Sequence, residues 1–163
     1  MLKNEASTFD YFLENGPLKT NRLNVRSIKL YADGALGSRG AALKIPYLDK
    51  KGHKGHFLTP IDSIEKFAYK IATTPFQLNT HAIGDAANNA VLNAYKKALV
   101  FKDDPRWRIE HAQVLDTNDI SLFNRKIIPS VQPSHAVSDY AWAKKRLGEE
   151  RMHGAYAYKA LLE

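Results

Sequence analysis

Hydrophobic positions along this chain fall into short runs of period two, separated by longer runs with helical spacing. In Val25-Arg26-Ser27-Ile28-Lys29-Leu30-Tyr31, the residues Ile28, Leu30 and Ala32 share one face while Ser27, Lys29, Tyr31 and Asp33 share the other, which predicts a strand. Residues 76–81, 107–111 and 127–132 read as three more strands. Between the first two, Thr59 as cap and Pro60 in the first turn precede Ile61, Ile64, Phe67, Ala68 and Ile71 at helical spacing, and Pro75 ends that helix near Thr74. A second helix runs from Asp85, as its cap, through Ala98. Thr117 or Asn118 opens a short third, and two further helical pieces are predicted at 140–147 and 149–162. Strand alternating with helix is the pattern of βαβ units on a parallel sheet, so the fold class is α/β. Neither a repeat nor a flexible linker divides the chain: 1–163 reads as a single domain, with 1–24 a lead-in and 25–163 the βα units.

Composition narrows the chemistry. The 163 residues include no cysteine, which excludes disulfide scaffolds, Cys-based zinc fingers, iron–sulfur clusters and thiol nucleophiles. A formal charge of +7 would suit nucleic acid if the basic residues were clustered. They are spread, and the densest group, Lys144-Lys145-Arg146, shares its segment with Asp139, Glu149 and Glu150, so it reads as a solvated helix face and no nucleic-acid partner is expected. No run approaches the ~20 apolar residues that span a bilayer, and the opening residues lack an apolar export core. No membrane partner is expected; the compartment stays open, with the cytoplasm as default.

In folds of this class, reactive groups gather where strands end. Lys29 lies near the end of the first predicted strand, His81 ends the second, His111 ends the third, and Gln132 lies near the end of the fourth. His81 completes a polar stripe with Gln77 and Asn79, opposite Phe76, Leu78 and Thr80. The same count puts His111 with Trp107 and Ile109, opposite Arg108 and Glu110, and an imidazole among such neighbours needs a partner. A divalent metal would be one. A single strand-end histidine is more often a hydrogen-bonded structural residue, whereas two with a lysine make a constellation. The glycine-rich loop 33–40 matches no phosphate-binding pattern and reads as special backbone geometry. His53, His56 and His153 read as solvated, and no G-x-S-x-G elbow supports a serine nucleophile.

Five motifs, taken in order, resemble one family. They are the run from Ile28 to Arg39, Pro46-Tyr47-Leu48-Asp49, the run from His81 to Asn88, Arg108-Ile109-Glu110-His111-Ala112-Gln113, and Ser130-Val131-Gln132-Pro133-Ser134-His135. Ser138-Asp139, Arg146-Leu147-Gly148 and Tyr156 extend the match. The family is amidohydrolase family 3, the YtcJ-like metal-dependent hydrolases that include N-substituted formamide deformylase. The resemblance implies a partial TIM-type (β/α)8 barrel of about four βα units, equivalent to barrel strands four to seven. It implies hydrolysis of an amide or other C–N bond in a small molecule by metal-activated water. Lys29, a position often carbamylated in the family, His81 and His111 would be ligands to a divalent metal, zinc first among the choices. Asp33, Arg39, Gln132 and His135, which flank strand ends within matching motifs, are candidates for contact with the substrate or for supporting the metal ligands from behind; for Asp33 and Arg39 the alternative is mutual pairing inside the glycine-rich loop.

Departures qualify what is implied. The family's first-strand His-x-His pair has no counterpart, and neither has the eighth-strand Asp that serves as general base, so the catalytic base is unassigned. The chain is therefore expected to be a fragment without turnover of its own, and its outer strands, four and seven, to be open edges through which copies associate or which rely on the rest of the barrel. The alternative reading is a non-catalytic binding or interaction module built on the same barrel segment.

Overall fold

The computed structural model describes residues 2–3 and 6–163, with side chains from Phe9 onward. Along the chain the elements are β1 (Leu2–Lys3), α1 (Ala6–Asn15), β2 (Leu18–Lys19), β3 (Asn24–Val25), β4 (Ser27–Tyr31), α2 (Ile61–Ala72), β5 (Gln77–Ala82), α3 (Asp85–Ala98), β6 (Trp107–His111), β7 (Ile127–Ser130), α4 (Ser134–Asp139) and α5 (Ala143–Leu147). Two 3-10 turns lie at Thr117–Leu122 and Glu150–His153. β1, β4, β5, β6 and β7 lie side by side in that order, every pair parallel, and β2 and β3 form a separate antiparallel ribbon.

One face of the sheet builds the core. Ile28, Leu30 and Ala32, then Leu78 and Ala82, then Trp107 and Ile109 alternate inward and are buried against Ile64, Ala68 and Ile71 of α2 and Val91, Leu92 and Tyr95 of α3. Burying each Leu, Ile or Val of this set contributes about 1.5–3 kcal/mol. The polar atoms drawn in with them are satisfied: Tyr95 OH pairs with Thr80 Oγ1 at 2.7 Å, and Trp107 Nε1 donates to the Phe76 carbonyl at 3.2 Å. A second cluster, with Leu36, Leu43, Tyr47, Ile83, Val114 and Leu147, sits on the loops beyond the carboxyl ends of the strands.

Several elements differ from expectation. The lead-in carries α1, β1 and one strand of the ribbon, so β4 is not an open edge: β1 pairs with it, Leu2 with Ile28 and Lys3 with Lys29. At the other side β7 is the outer strand, and Pro129 within it is tolerated there because an edge has a side that needs no donor. Thr59 does not cap α2; its hydroxyl donates to the Tyr31 carbonyl at 2.7 Å and ties the helix start to the end of β4. The Thr117–Leu122 turn is capped by Asp116, which accepts from the Asn118 N–H at 3.0 Å. Residues 149–162 form no long helix, because the chain is drawn into a bridge between Val114 and Ala155, with Leu115 N–H donating to Gly154 and Tyr156 N–H to Gln113. Those tertiary bonds take the donors and acceptors that a helix would use. No helix among the described residues is long and apolar enough to cross a membrane.

Candidate metal centre

Sheet register sets the depth of each candidate group. Tyr31 pairs with His81 and Ala82 with His111, so the two histidines end neighbouring strands; Lys29 pairs with Asn79, one step of the pleat deeper on the same face. The His81 and His111 rings meet edge to face with centroids 4.6 Å apart.

His81 stands on regular strand, and its surroundings are built by Asp33. That carboxylate is fully buried and accepts three backbone N–H groups: Ile83 on Oδ1 at 3.0 Å, and Ala42 and Gly84 on Oδ2, both at 2.8 Å. It thereby stitches the glycine-rich loop after β4 to the loop after β5. Glycine is required at 84, since a Cβ there would stand 2.0 Å from the Ala42 carbonyl oxygen. Gly34 and Gly40 also approach closely, but the left-handed residue of that loop is Arg39, at φ 61°. His81 Nε2 lies 3.5 Å from Asp33 Oδ1, beyond hydrogen-bond range, and is buried without a hydrogen-bond partner. Burial pushes His81 down to about 4, helped by His111 and Lys29, and burial pushes Asp33 up to about 6 against its three N–H donors. At neutral pH the imidazole is uncharged and the carboxylate is an anion.

His111 is held differently. Its φ is +80° and that of Ala112 is +43°, two successive left-handed residues that are not glycine, each costing on the order of 1–3 kcal/mol. This turn overrides the alternation that grouped His111 with Trp107 and Ile109: Ala112 joins the core in its place, and the imidazole swings to the His81 side. Nδ1 lies 2.6 Å from Gln132 Oε1, and the His135 ring stacks on it at 5.6 Å with an interplanar angle of 15°. Burial lowers the pKa of His111.

Lys29 is half-buried, and burial lowers its pKa as well. Next to it lies a polar floor that the sequence reading did not use. Arg108 Nη2 and Glu110 Oε1 pair at 2.9 Å, and the Asn79 amide, oriented with its oxygen towards Arg108, accepts from Nη2 at 3.0 Å. The signal was present: Arg108 and Glu110 alternate with the core residues of β6 just as Asn79 and His81 do on β5.

The remaining candidates divide. Gln132 and His135 are brought to His111, although β7 ends at Ser130 and Gln132 lies on the following loop. Asp33 and Arg39 do not pair with each other. Arg39 instead makes a bidentate pair with Asp49, at 3.0 and 2.7 Å, and no hydrogen bond, ion pair or ring contact among the described residues joins it to His81 or His111. His53, read as solvated, bonds to the Arg39 carbonyl through Nε2 at 2.9 Å. Three motif residues without an assigned role form a lock: Asp139 Oδ2 accepts from Gln113 Nε2 at 2.8 Å and from Tyr156 OH at 2.9 Å, fastening α4, which carries His135, to the end of β6.

The donor set suits a divalent cation. Two imidazoles kept neutral, one with a buried ring nitrogen that nothing else satisfies, adjoin a lysine whose charge is disfavoured. Among the described residues no group of three or more His, Asp or Glu side chains stands at metal-holding distance, so the set here is partial.

A parallel sheet flanked by helices, with imidazoles at the carboxyl ends of adjacent strands, defines the chain as a segment of a (β/α) barrel. The amidohydrolase family model matches residues 4–163, and the chain belongs to that family. It is 38% identical over 137 residues to a Bacillus subtilis (strain 168) protein that carries the amidohydrolase name YtcJ, covering 83% of this chain and 26% of that one. It is 32% identical over 157 residues to the Arabidopsis thaliana protein LONG AFTER FAR-RED 3, covering 94% of this chain and 27% of that one. Among solved structures it resembles an uncharacterized metal-dependent hydrolase from Pyrococcus furiosus, with a TM-score of 0.85 and 32% identity over 96% of this chain and 33% of the other. A metal-dependent hydrolase from Pyrococcus horikoshii OT3 gives 0.84 and 30%, over 96% and 32%. The chain thus spans about a quarter of the length of the curated relatives it matches.

Proposed function

We propose that this chain supplies one wall of the active site of a metal-dependent amidohydrolase, with Lys29, His81 and His111 holding a divalent cation, zinc, and a small amide or related C–N compound as substrate. The observation that carries the reading is His81 Nε2, a buried ring nitrogen without a hydrogen-bond partner, on a ring whose centroid lies 4.6 Å from that of His111. A bound cation supplies Lewis acidity and a more acidic water. The protein's own groups prepare the place. Burial keeps both imidazoles neutral, as ligands must be. Buried Asp33 holds the two loops on either side of His81, and its negative charge lies on the side towards which Nε2 points. Lys29, pushed towards the neutral amine, is suited to carbamylation: the ammonium gives up one proton, neutral Nζ bonds to the carbon of CO2 and a second proton leaves, so a cation becomes a bidentate anion. The catalytic base is not among these residues, and the chain alone is expected to lack turnover.

A second reading, a non-catalytic module, draws on the partial ligand set. Elemental analysis after equilibration with zinc and desalting separates the two. Retained zinc in the 163-residue chain, lost in His81→Ala and in His111→Ala, is the expected result. A chain that retains none, or whose zinc survives both substitutions, overturns the metal reading. The outer side of β7 is proposed as a pairing edge between copies. Sedimentation at micromolar concentration is expected to show association, and a clean monomer would remove that idea.

A further inference from the structure

The two ends of the Gln132 amide are engaged by different partners. Nε2 donates to the Ser130 carbonyl at 3.2 Å, and Oε1 lies 2.6 Å from His111 Nδ1. Rotating the amide by half a turn would set oxygen against the Ser130 carbonyl, acceptor against acceptor, so the orientation is locked. The backbone of Gln132 is pinned as well, its carbonyl accepting from Tyr158 OH at 2.9 Å. An oxygen that can only accept faces Nδ1, so in the neutral ring the proton is on Nδ1 and the lone pair is on Nε2. His135, stacked face to face, limits rotation of the ring about its bond to the chain.

We infer that Gln132 is a positioning residue that sets the tautomer of His111, holding the proton on Nδ1 so that Nε2 is the ligand atom. Its role is thus exerted through His111 and not through contact with substrate. The inference rests on the metal-binding reading above for its purpose, but its physical content is present in the metal-free chain. Outer-sphere partners of this kind orient the imidazole and raise its basicity, and losing one typically weakens metal binding about 10–100-fold.

The test uses the metal-free, 15N-labelled chain at pH 8, where nitrogen NMR reports which ring nitrogen of His111 carries the proton. The wild type is expected to show the Nδ1–H form. Gln132→Leu is expected to release the ring to a mixture or to the Nε2–H form, and Gln132→Glu, which keeps an acceptor in place, to restore Nδ1–H. A structural role alone would not separate these two variants. An Nε2–H signal in the wild type, or an unchanged tautomer in Gln132→Leu, overturns the assignment. Co2+ titration gives the second reading, with about 10–100-fold weaker binding expected in Gln132→Leu and recovery in Gln132→Glu. Failure of the wild type to bind Co2+ would count against the proposed metal site while leaving the tautomer result standing.

Discussion

His81 and His111 end neighbouring strands and their rings touch, yet the molecule holds them by opposite means. His81 sits on unstrained strand and relies on Asp33, a buried anion that grips three backbone N–H groups and leaves the ring nitrogen unsatisfied. His111 sits on strained, left-handed backbone and relies on Gln132, a neutral amide that satisfies one ring nitrogen and leaves the other to the site. The difference shows two ways to prepare an imidazole. At β5 the surrounding loops are fixed and the side chain follows; at β6 the backbone is bent and the side chain is then clamped.

The largest effect should come from the Asp33 side. Asp33→Ala strands three buried N–H donors, a loss on the order of 3–6 kcal/mol in urea unfolding. Gln132→Leu removes one half-buried acceptor and is expected to cost no more than about 1 kcal/mol. Comparable losses in the two variants would break the contrast. Next in size is a pair of glycine substitutions. Ala82 lies in regular strand and is fully buried, so Ala82→Gly should cost about 1.5 kcal/mol from lost methyl burial and added backbone freedom. Ala112 is equally buried but left-handed, so relief of strain offsets the lost methyl and Ala112→Gly should lie within about 0.5 kcal/mol of wild type. Equal costs in thermal unfolding would mean that the backbone at β6 is not strained.

A further effect concerns pH. His81 has a folded pKa of about 4, below its usual 6.5, so its contribution is present above 6.5 and is lost as pH falls through 4. Asp33 has a folded pKa of about 6, above its usual 3.8, so its contribution is present below 3.8 and is lost as pH rises through 6. Between 4 and 6 the two oppose each other. Replacing His81 by Gln leaves the Asp33 contribution, so the metal-free His81→Gln chain should gain on wild type between pH 7.5 and pH 5. A urea midpoint difference that stays flat, or moves the other way, would refute the assignment of charge at the β5 end.

Much of this was legible in sequence where one local rule governs. Period two placed Ile28, Leu30, Leu78, Trp107 and Ile109 in the core and set Lys29, Asn79 and His81 on the opposite face, because side chains on a strand must alternate. Helical spacing with Pro60 and Pro75 bounded α2 to within two residues. The rule failed at His111, where two left-handed residues exchange its place with Ala112, and nothing in Glu-His-Ala announces that turn. It failed again beyond Gly148, where helix-like spacing yields to a bridge with Val114.

By itself, then, the sequence determined β4 to β7, the helices α2 and α3, the polar face and the family, since each rests on local periodicity or on ordered motifs that need no partner, whereas β1 and α1 of the lead-in carried no such signal. Only the tertiary structure decided which partner each functional group has. Arg39 bonds to Asp49 and not to Asp33, Asp33 grips backbone of its own loop and of the loop after β5, and Gln132 reaches His111 from the next loop. A hydrogen bond is chosen by distance in space, and residues 10, 50 or 21 positions apart meet only once the sheet has set their loops side by side.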